Sequence, residues 1–462
     1  MVSGPIEVDV DAWAKQQFGA CELGDRRRTK RLVKFATQVA AHPDGETPDQ
    51  TERWGDCKAA YRLFDQDDVS FTAILAPHCR QTRACGKGTW LLIGDTTELD
   101  FGIHRNVSGL GPTGDGRGRG FMLHSSLMIH AKTGEIVGLS GQELFYRKPA
   151  PRQSCAQRKR RERESEIWGR VIDQVGPPPD GVHWIHVLDA EADNIEVFCH
   201  LVLQRCDWVV RASQLHRSIL TAAREILPLI KLLDRQPLAG TYELSVRAAK
   251  GKPARVAQVE VRFASLIMPL PGQTSLWMRT CRVQEIPMQV VEVREVGAPK
   301  EIEPLHWVLL TSESVQSFED AWRVIEHYEQ RPVIEDYHKA LKTGCRVEER
   351  LYRTGKRLER VTALLSVVAV RLMRLKAIAR ATPKRPAREI VPLPWITMLQ
   401  RARRSPLDPA MTVREFFRDL AKLGGFLGRR SDGEPGWITI WRGFEKLVLL
   451  VRGAGLVRAK CG

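Results

Sequence analysis

The chain has 462 residues, 43% of them hydrophobic, enough for a substantial core and roughly two to four domains. Lysine and arginine outnumber aspartate and glutamate by 71 to 55, a net charge of +16 that favours a polyanion partner such as nucleic acid. The ten cysteines form no C-x-x-C pair, which argues against a zinc site or a disulfide framework and for a reducing cytoplasm.

The first twenty residues carry acids and no apolar run, so no signal peptide is expected. Residues 11–83 read as helical. The basic run Arg26-Arg27-Arg28-Thr29-Lys30-Arg31 opens an amphipathic pattern at Leu32, Val33, Phe35, Ala36, Val39 and Ala40, and Lys58 to Phe64 repeats that texture. A small helical module follows from these two elements. From residue 89 the pattern turns α/β. Thr89 to Asp95 and His183 to Asp189 are apolar runs that each end in an aspartate. Phe121 to His130 and Glu135 to Leu139, joined through Thr133-Gly134, predict a hairpin. The basic run Arg158 to Arg163 opens a helix, another covers about Glu191 to Leu203, and Trp208 to Arg211 is a strand. Thr241 to Val246, Arg255 to Phe263, Ser275 to Val283 and Gln289 to Val296 read as strands with no helix between them, an all-β insertion over about 238–300. Leu305 to Thr311 and the helix after Ser317 restore the α/β texture. Helices then dominate through Lys376; the most apolar window, Val361 to Met373, is too short for a membrane span and is broken by Arg371. Pro383, Pro386, Pro392 and Pro394 mark a linker before a helical tail.

Tyr328, Arg331, Glu335, Lys339 and Lys342 recur at gaps of three, four, four and three, which on one helix would put all five on one face. Ile334 and Leu341 fall on the inward phase. Pro332 favours a fresh helix starting at Arg331 or Pro332, after one covering Phe318 to Glu329. A carboxylate among these cations suits a divalent metal ligand beside groups that grip phosphate; the plain alternative is a solvated, charge-paired face. Asp95 and Asp189, at strand tips, would be fixed yet open to substrate. With Glu335 they supply three hard oxygen ligands of the kind Mg²⁺ or Mn²⁺ prefers, and two such ions serve phosphoryl transfer. Alternatives stand for each acid: Glu98 or Asp100 for Asp95, Asp193 for Asp189, Asp336 or Glu329 for Glu335. His183 and His186 alternate to opposite faces of their strand and read as packing residues.

Tyr328-x2-Arg331-x3-Glu335-x6-Lys342 resembles the Y-x2-R-x3-E-x6-K signature of the insertion-sequence-four family of bacterial DDE transposases. The resemblance covers nearly the whole chain. Leu23-Gly24-Asp25 with Arg27-Arg28-Thr29, and Ala60-Tyr61-Arg62, are similar to the family's N-terminal DNA-binding module. Asp95-Thr96-Thr97 and Asp189-Ala190-Glu191-Ala192-Asp193 resemble the segments of its two catalytic aspartates. Trp307 to Glu313, Val368 to Leu372, Gly424-Gly425-Phe426 and Trp437 to Glu445 continue the match in order.

The resemblance implies an RNase H-like catalytic domain over 76–385, carrying Asp95, Asp189 and Glu335 and interrupted by the β-rich insertion. It implies a helical DNA-binding domain over 1–75, with Arg27, Arg28, Lys30 and Arg62 on DNA, and a helical dimerisation domain over 386–462. Mg²⁺, replaceable by Mn²⁺ and bound as two ions in the family's manner, is the implied cofactor. The implied partners are double-stranded DNA, both terminal inverted repeats and target, and a second copy of the chain in a synaptic complex. The implied setting is the bacterial cytoplasm, on the nucleoid when DNA is bound, with no membrane. The implied reaction is cut-and-paste transposition: each end is nicked, the freed 3′-OH forms a hairpin, and the hairpin is opened and joined to target. Trp307 would stack on a base flipped out near the hairpin. Tyr328, Arg331 and Lys342 would contact phosphates beside the scissile bond, with Lys339 and Arg211 in the same role. Pro332 and Val333 depart from the family's aromatic and arginine, and Ala190 stands where arginine is common; these departures bear on the hairpin step rather than on cleavage. The rival classes are a non-catalytic, DNA-binding inhibitor of transposition and an RNase H-like nuclease without strand transfer.

Overall fold

In the computed structural model, which describes residues 10–102, 106–147, 164–246, 255–270, 277–278, 281, 283–299, 302–381, 383–429 and 432–460, five helices come first. They are α1 (Val10–Phe18), α2 (Arg26–Ala41), α3 (Thr47–Gln50), α4 (Trp54–Leu63) and α5 (Phe71–Arg83). Asp25 caps α2 by accepting from the Arg27 amide at 2.7 Å, and Ser70 caps α5 through the Ala73 amide. Each satisfies a donor that the first helical turn leaves open. Leu32, Phe35, Ala36 and Val39 of α2 pack with Phe18, Leu63, Phe64 and Ile74 in one apolar core.

A large mixed sheet follows. β1 (Gly88–Asp100) pairs antiparallel with β3 (Gly118–His130), which also carries β2 (Gly111–Thr113) and β4 (Ile136–Phe145). After α6 (Glu166–Val175), β5 (Val182–Leu188) lies parallel to β1. After α7 (Ile195–Leu203), β6 (Asp207–Arg211) lies parallel to β5. The intervening helices carry the chain back over the sheet, as parallel pairing requires. β7 (Ser218–Leu220), β8 (Ile226–Pro228) and the short α8 (Leu229–Asp234) lead to β9 (Gly240–Val246), β10 (Arg255–Pro269), β11 (Glu285–Val296) and β12 (His306–Thr311). The strand order is β2-β3-β1-β5-β6-β12-β11-β10-β7-β8, with β4 on β3 and β9 on β10. The strands of 240–296 thus extend the main sheet through the β11–β12 pairing. Most of the strand expected over 275–283 lies outside the described residues, as does the run Arg158 to Arg163; Trp277 and Met278 are helical.

Strict alternation buries both faces of the central strands. Leu91 and Ile93, Ile185 and Val187, Val209, and Leu309 enter the core shared with the N-terminal helices. Leu92, Trp184 and Leu188, Trp208 and Val210, and Val308 and Leu310 enter a second core with α6 and α7.

Then come α9 (Phe318–Glu329), closed at its start by a Ser317/Asp320 capping box, and α10 (Val333–Lys339), which runs into a π-helical turn over Ala340–Gly344. The long α11 (Gly355–Ala381) buries Leu364, Leu365, Val368 and Ala369. The last helices are α12 (Leu393–Arg403), α13 (Val413–Leu423) and α14 (Trp437–Lys460). The proline-rich segment expected as a linker is instead packed: Ala387, Ile390 and Val391 are buried, and Pro386 bridges to Thr412. α13 and α14 cross backbone to backbone; a Cβ at Gly443 would stand 1.7 Å from the Leu420 carbonyl oxygen, so only glycine fits. Among the described residues no helix is long and apolar enough to cross a membrane.

Candidate active site

Asp95 does not end its strand. β1 continues to Asp100, and Asp95 is paired with Ser125 of β3. What ends is the parallel pairing with β5, whose last partner on β1 is Ile93. Asp95 therefore lies just past the edge of β5, on the same face as Leu91 and Ile93. Asp189 follows the last residue of β5. Its Oδ1 accepts from the Glu191 amide at 2.9 Å and opens the short turn Ala190–Ala192. Capping uses one oxygen and leaves Oδ2 for other partners.

The stretch from Tyr328 to Lys342 is not one helix, so its five residues do not share one face. Tyr328 belongs to α9, Arg331 to the junction, Glu335 and Lys339 to α10, and Lys342 to the π-helical turn. The break has a local cause. Pro332 has no amide hydrogen to continue the ladder, and the Tyr328 carbonyl accepts from the Arg331 amide at 2.9 Å instead.

Arg331 gathers the three acids. Its Nη2 lies 3.0 Å from Asp189 Oδ2 and 3.2 Å from Asp95 Oδ1, while its Nη1 bonds Glu335 Oε1. One side of the cluster is enclosed and the other open: the Arg331 and Asp95 side chains are 16% and 15% exposed, Glu335 61%. Burial pushes the Asp95 carboxyl up to about 6; Arg331 opposes this, and the Asp189 and Glu335 charges add to it. His338, unremarked in the sequence, places Nδ1 3.7 Å from Asp95 Oδ2. Burial drives its pKa down to about 3, so it is a neutral neighbour at pH 7.

Several alternative acids are engaged elsewhere. Asp193 accepts from the Ser213 amide at 2.7 Å, the Ser213 hydroxyl at 3.1 Å and the Gln214 amide at 3.2 Å, and pairs with Arg217 at 2.5 Å. Asp100 accepts from the Gly102 and Arg119 amides at 2.9 and 3.1 Å. Glu98 accepts from the Gly114 amide at 2.7 Å and pairs with Arg147 at 3.2 Å.

Three further candidates flank the acids. Trp307 of β12 is half-buried and meets the Tyr328 ring edge-on, centroids 5.4 Å apart. Tyr328 is itself buried, which pushes its hydroxyl pKa up, while the hydrogen-bonded Arg211 at the end of β6 pulls it down. Lys339 is exposed on α10. Lys342 lies 3.5 Å from Glu348, whose carboxylate also accepts from the Asp100 amide at 3.1 Å. Arg27, Arg28, Lys30 and Arg62 belong to the helical module, not to the acid cluster. Arg27, Lys30 and Arg62 are exposed. Arg28 donates to Asp68 at 2.5 Å, to the Leu23 carbonyl at 3.0 Å and to Gln66 at 3.1 Å, and so ties α2 to the chain before α5. A groove of about 540 Å³ opens at the start of α2, lined by residues 19–26 with Thr29 and Lys30.

Among the described residues no three His, Cys, Asp or Glu side chains stand together as a ready metal cluster. The acids surround a guanidinium. Their chemistry nevertheless suits a hard divalent cation, since three carboxylates from three elements converge on one positive charge.

Two family models match the chain. One, for transposase DNA-binding, covers residues 10–69, from α1 to the turn before α5. The other, the transposase Tn5 dimerisation domain, covers residues 367–461, from within α11 through α14. Asp95, Asp189 and Glu335 lie between them. With a transposase DNA-binding domain before the acid cluster and a Tn5-type dimerisation domain after it, the chain is a Tn5-like transposase.

Proposed function

We propose that Asp95, Asp189 and Glu335 are the catalytic acids of an RNase H-like domain, about 76–385, that cuts and joins DNA at the ends of its own insertion sequence. The observation carrying this reading is the convergence of the three acids, from β1, the end of β5 and α10, on Arg331. Two Mg²⁺ ions, or Mn²⁺, held by these acids would activate the attacking oxygen and stabilise the leaving one. Asp95 and Asp189 are held by the sheet, whereas Glu335 is exposed on a short helix and free to adjust. Arg331, Arg211, Lys339 and Lys342 offset the charge of DNA phosphates around them. Trp307, on the Tyr328 ring, offers its free face to an unstacked base.

Arg27, Lys30 and Arg62, exposed on the DNA-binding domain, grip the terminal inverted repeats, while Arg28 steadies α2. Residues from about 386 bring two copies together; Leu449 and Leu450, exposed on α14, support that face. The reaction is cut-and-paste: nicking, hairpin formation and opening, then strand transfer into target DNA in a bacterial cytoplasm.

Supercoiled plasmid carrying the element's ends, incubated with Mg²⁺, tests the reading. Wild type is expected to excise and join; Asp189→Asn is expected to lose at least about 10³-fold in cleavage rate yet still shift end DNA in a gel. Binding without cleavage by wild type would replace this reading with a non-catalytic inhibitor. Cut ends without joined products would reduce it to a nuclease.

A further inference from the structure

We propose that Arg331 is an internal counter-cation that keeps the acid cluster closed to divalent metal until a DNA phosphate draws its guanidinium away, so that metal loading waits for DNA. The inference rests on the assignment of Asp95, Asp189 and Glu335 as the metal-binding acids.

The oxygens at issue are shared. Arg331 holds Asp189 Oδ2, Asp95 Oδ1 and Glu335 Oε1, one oxygen from each acid that a metal would need. Three carboxylates cannot stay ionised side by side without a cation, and in protein surroundings their mutual repulsion exceeds that in water several-fold. A guanidinium and a divalent ion are therefore alternative solutions to the same electrostatic problem, and each lowers the affinity for the other.

Arg331 is also placed to leave. It stands in the junction between α9 and α10, 16% exposed and bonded to Glu335 on the open side of the cluster, the side from which a phosphate can reach it. Its Nε is buried and finds no acceptor among the described residues. A phosphate offers two oxygens that the planar guanidinium fork can bind side by side. Arg211, bonded to Tyr328 on the same flank, draws a phosphate towards the same place. Exchange of the three acids for a phosphate would uncover the acids where the scissile strand arrives. Linkage makes the coupling mutual: DNA raises metal affinity by the factor by which metal raises DNA affinity.

Calorimetric titration of the full-length chain with MnCl₂ reads this directly. Without DNA, Arg331→Met is expected to bind Mn²⁺ about tenfold or more tightly than wild type. Arg331→Lys, which keeps a cation and guards against misfolding of the methionine variant, should fall between them. A duplex of the element's terminal repeat should raise the wild-type Mn²⁺ affinity and leave that of Arg331→Met nearly unchanged. Equal Mn²⁺ affinity in wild type and both variants, or a wild type indifferent to the duplex, overturns the proposal while leaving the catalytic reading intact. If adding Asp189→Asn to Arg331→Met does not weaken Mn²⁺ binding, the ions sit elsewhere and both readings fall.

Discussion

Arg331 and Arg350 are both largely buried arginines, and they are held in opposite ways. Arg350 is 2% exposed and donates to main-chain carbonyls: those of Pro43 and Gly45 in the N-terminal module, and that of Cys345 at 2.8 Å. Arg331 is held by three carboxylates. A carbonyl can neither titrate nor bind another cation without dragging its backbone along. A carboxylate can do both. Arg350 is therefore a fixture of the seam between module and core, alongside Arg360 on the Phe64 carbonyl and Tyr352 on Thr47 at 2.8 Å. Arg331 occupies the place that the proposed metal ions would claim. Burial alone does not separate a structural arginine from an exchangeable one; the chemistry of its acceptors does.

The sharpest way to break this contrast is at Arg350. Arg350→Met strips the donor from three carbonyls in a buried seam and is expected to cost about 3 kcal/mol, read as a shift in urea midpoint at constant slope. A cost below about 1 kcal/mol would mean that water takes over the carbonyls and that the seam is not fixed in the sense argued.

Asp95→Asn sharpens the other half. Burial raises the Asp95 carboxyl from 3.8 to about 6, so over that range the folded chain keeps a proton that the unfolded chain has lost. The contribution of Asp95 to stability is therefore greatest below about pH 4, falls as pH rises towards 6, and stays low above it. Asp95→Asn, melted without divalent metal, should flatten this slope and match or exceed wild type at pH 7, by an amount of order 1 kcal/mol. A variant clearly less stable than wild type at pH 7 would show that Arg331 more than compensates burial and sits in the acids as firmly as Arg350 in its carbonyls.

The smallest effect is expected at Arg357, whose Nη2 pairs with the half-exposed Asp65 at 2.5 Å across the same seam. Arg357→Ala should cost less than about 1 kcal/mol in the same urea experiment. A loss equal to that of Arg350→Met would make charge pairing, not carbonyl satisfaction, the glue of the seam.

Spacing alone leaves alternatives for each acid, and the resemblance to the transposase family singles out Asp95, Asp189 and Glu335; where the elements differ from expectation the causes are physical. The apolar run before Asp95 stops where the β5 pairing stops, not where β1 ends; the strand continues on β3 with Thr96, Glu98 and Asp100. Regular gaps from Tyr328 to Lys342 suggested one helical face, which the missing amide of Pro332 and the π-helical turn divide. Residues 240–296 announced themselves as strands because alternation is local; their membership of the main sheet depends on β11 meeting β12, which no local pattern encodes. Arg350 and His338 gave no signal at all. Each looks like an ordinary polar residue until another part of the chain buries it.

Residue order alone carries the inventory: the amphipathic helices with their basic start, the alternating strands, and the ordered set of acids, cations and aromatics that resembles a DDE transposase. These are local or compositional properties, carried by helical and strand periods. That Asp95, Asp189 and Glu335 meet around one guanidinium is a property of the folded chain. That meeting depends on the order of β1 and β5 in the sheet and on α10 packing over β1, contacts between segments far apart in the chain. Distant pairing is set by which buried surfaces fit together, and no short stretch of residues contains that information.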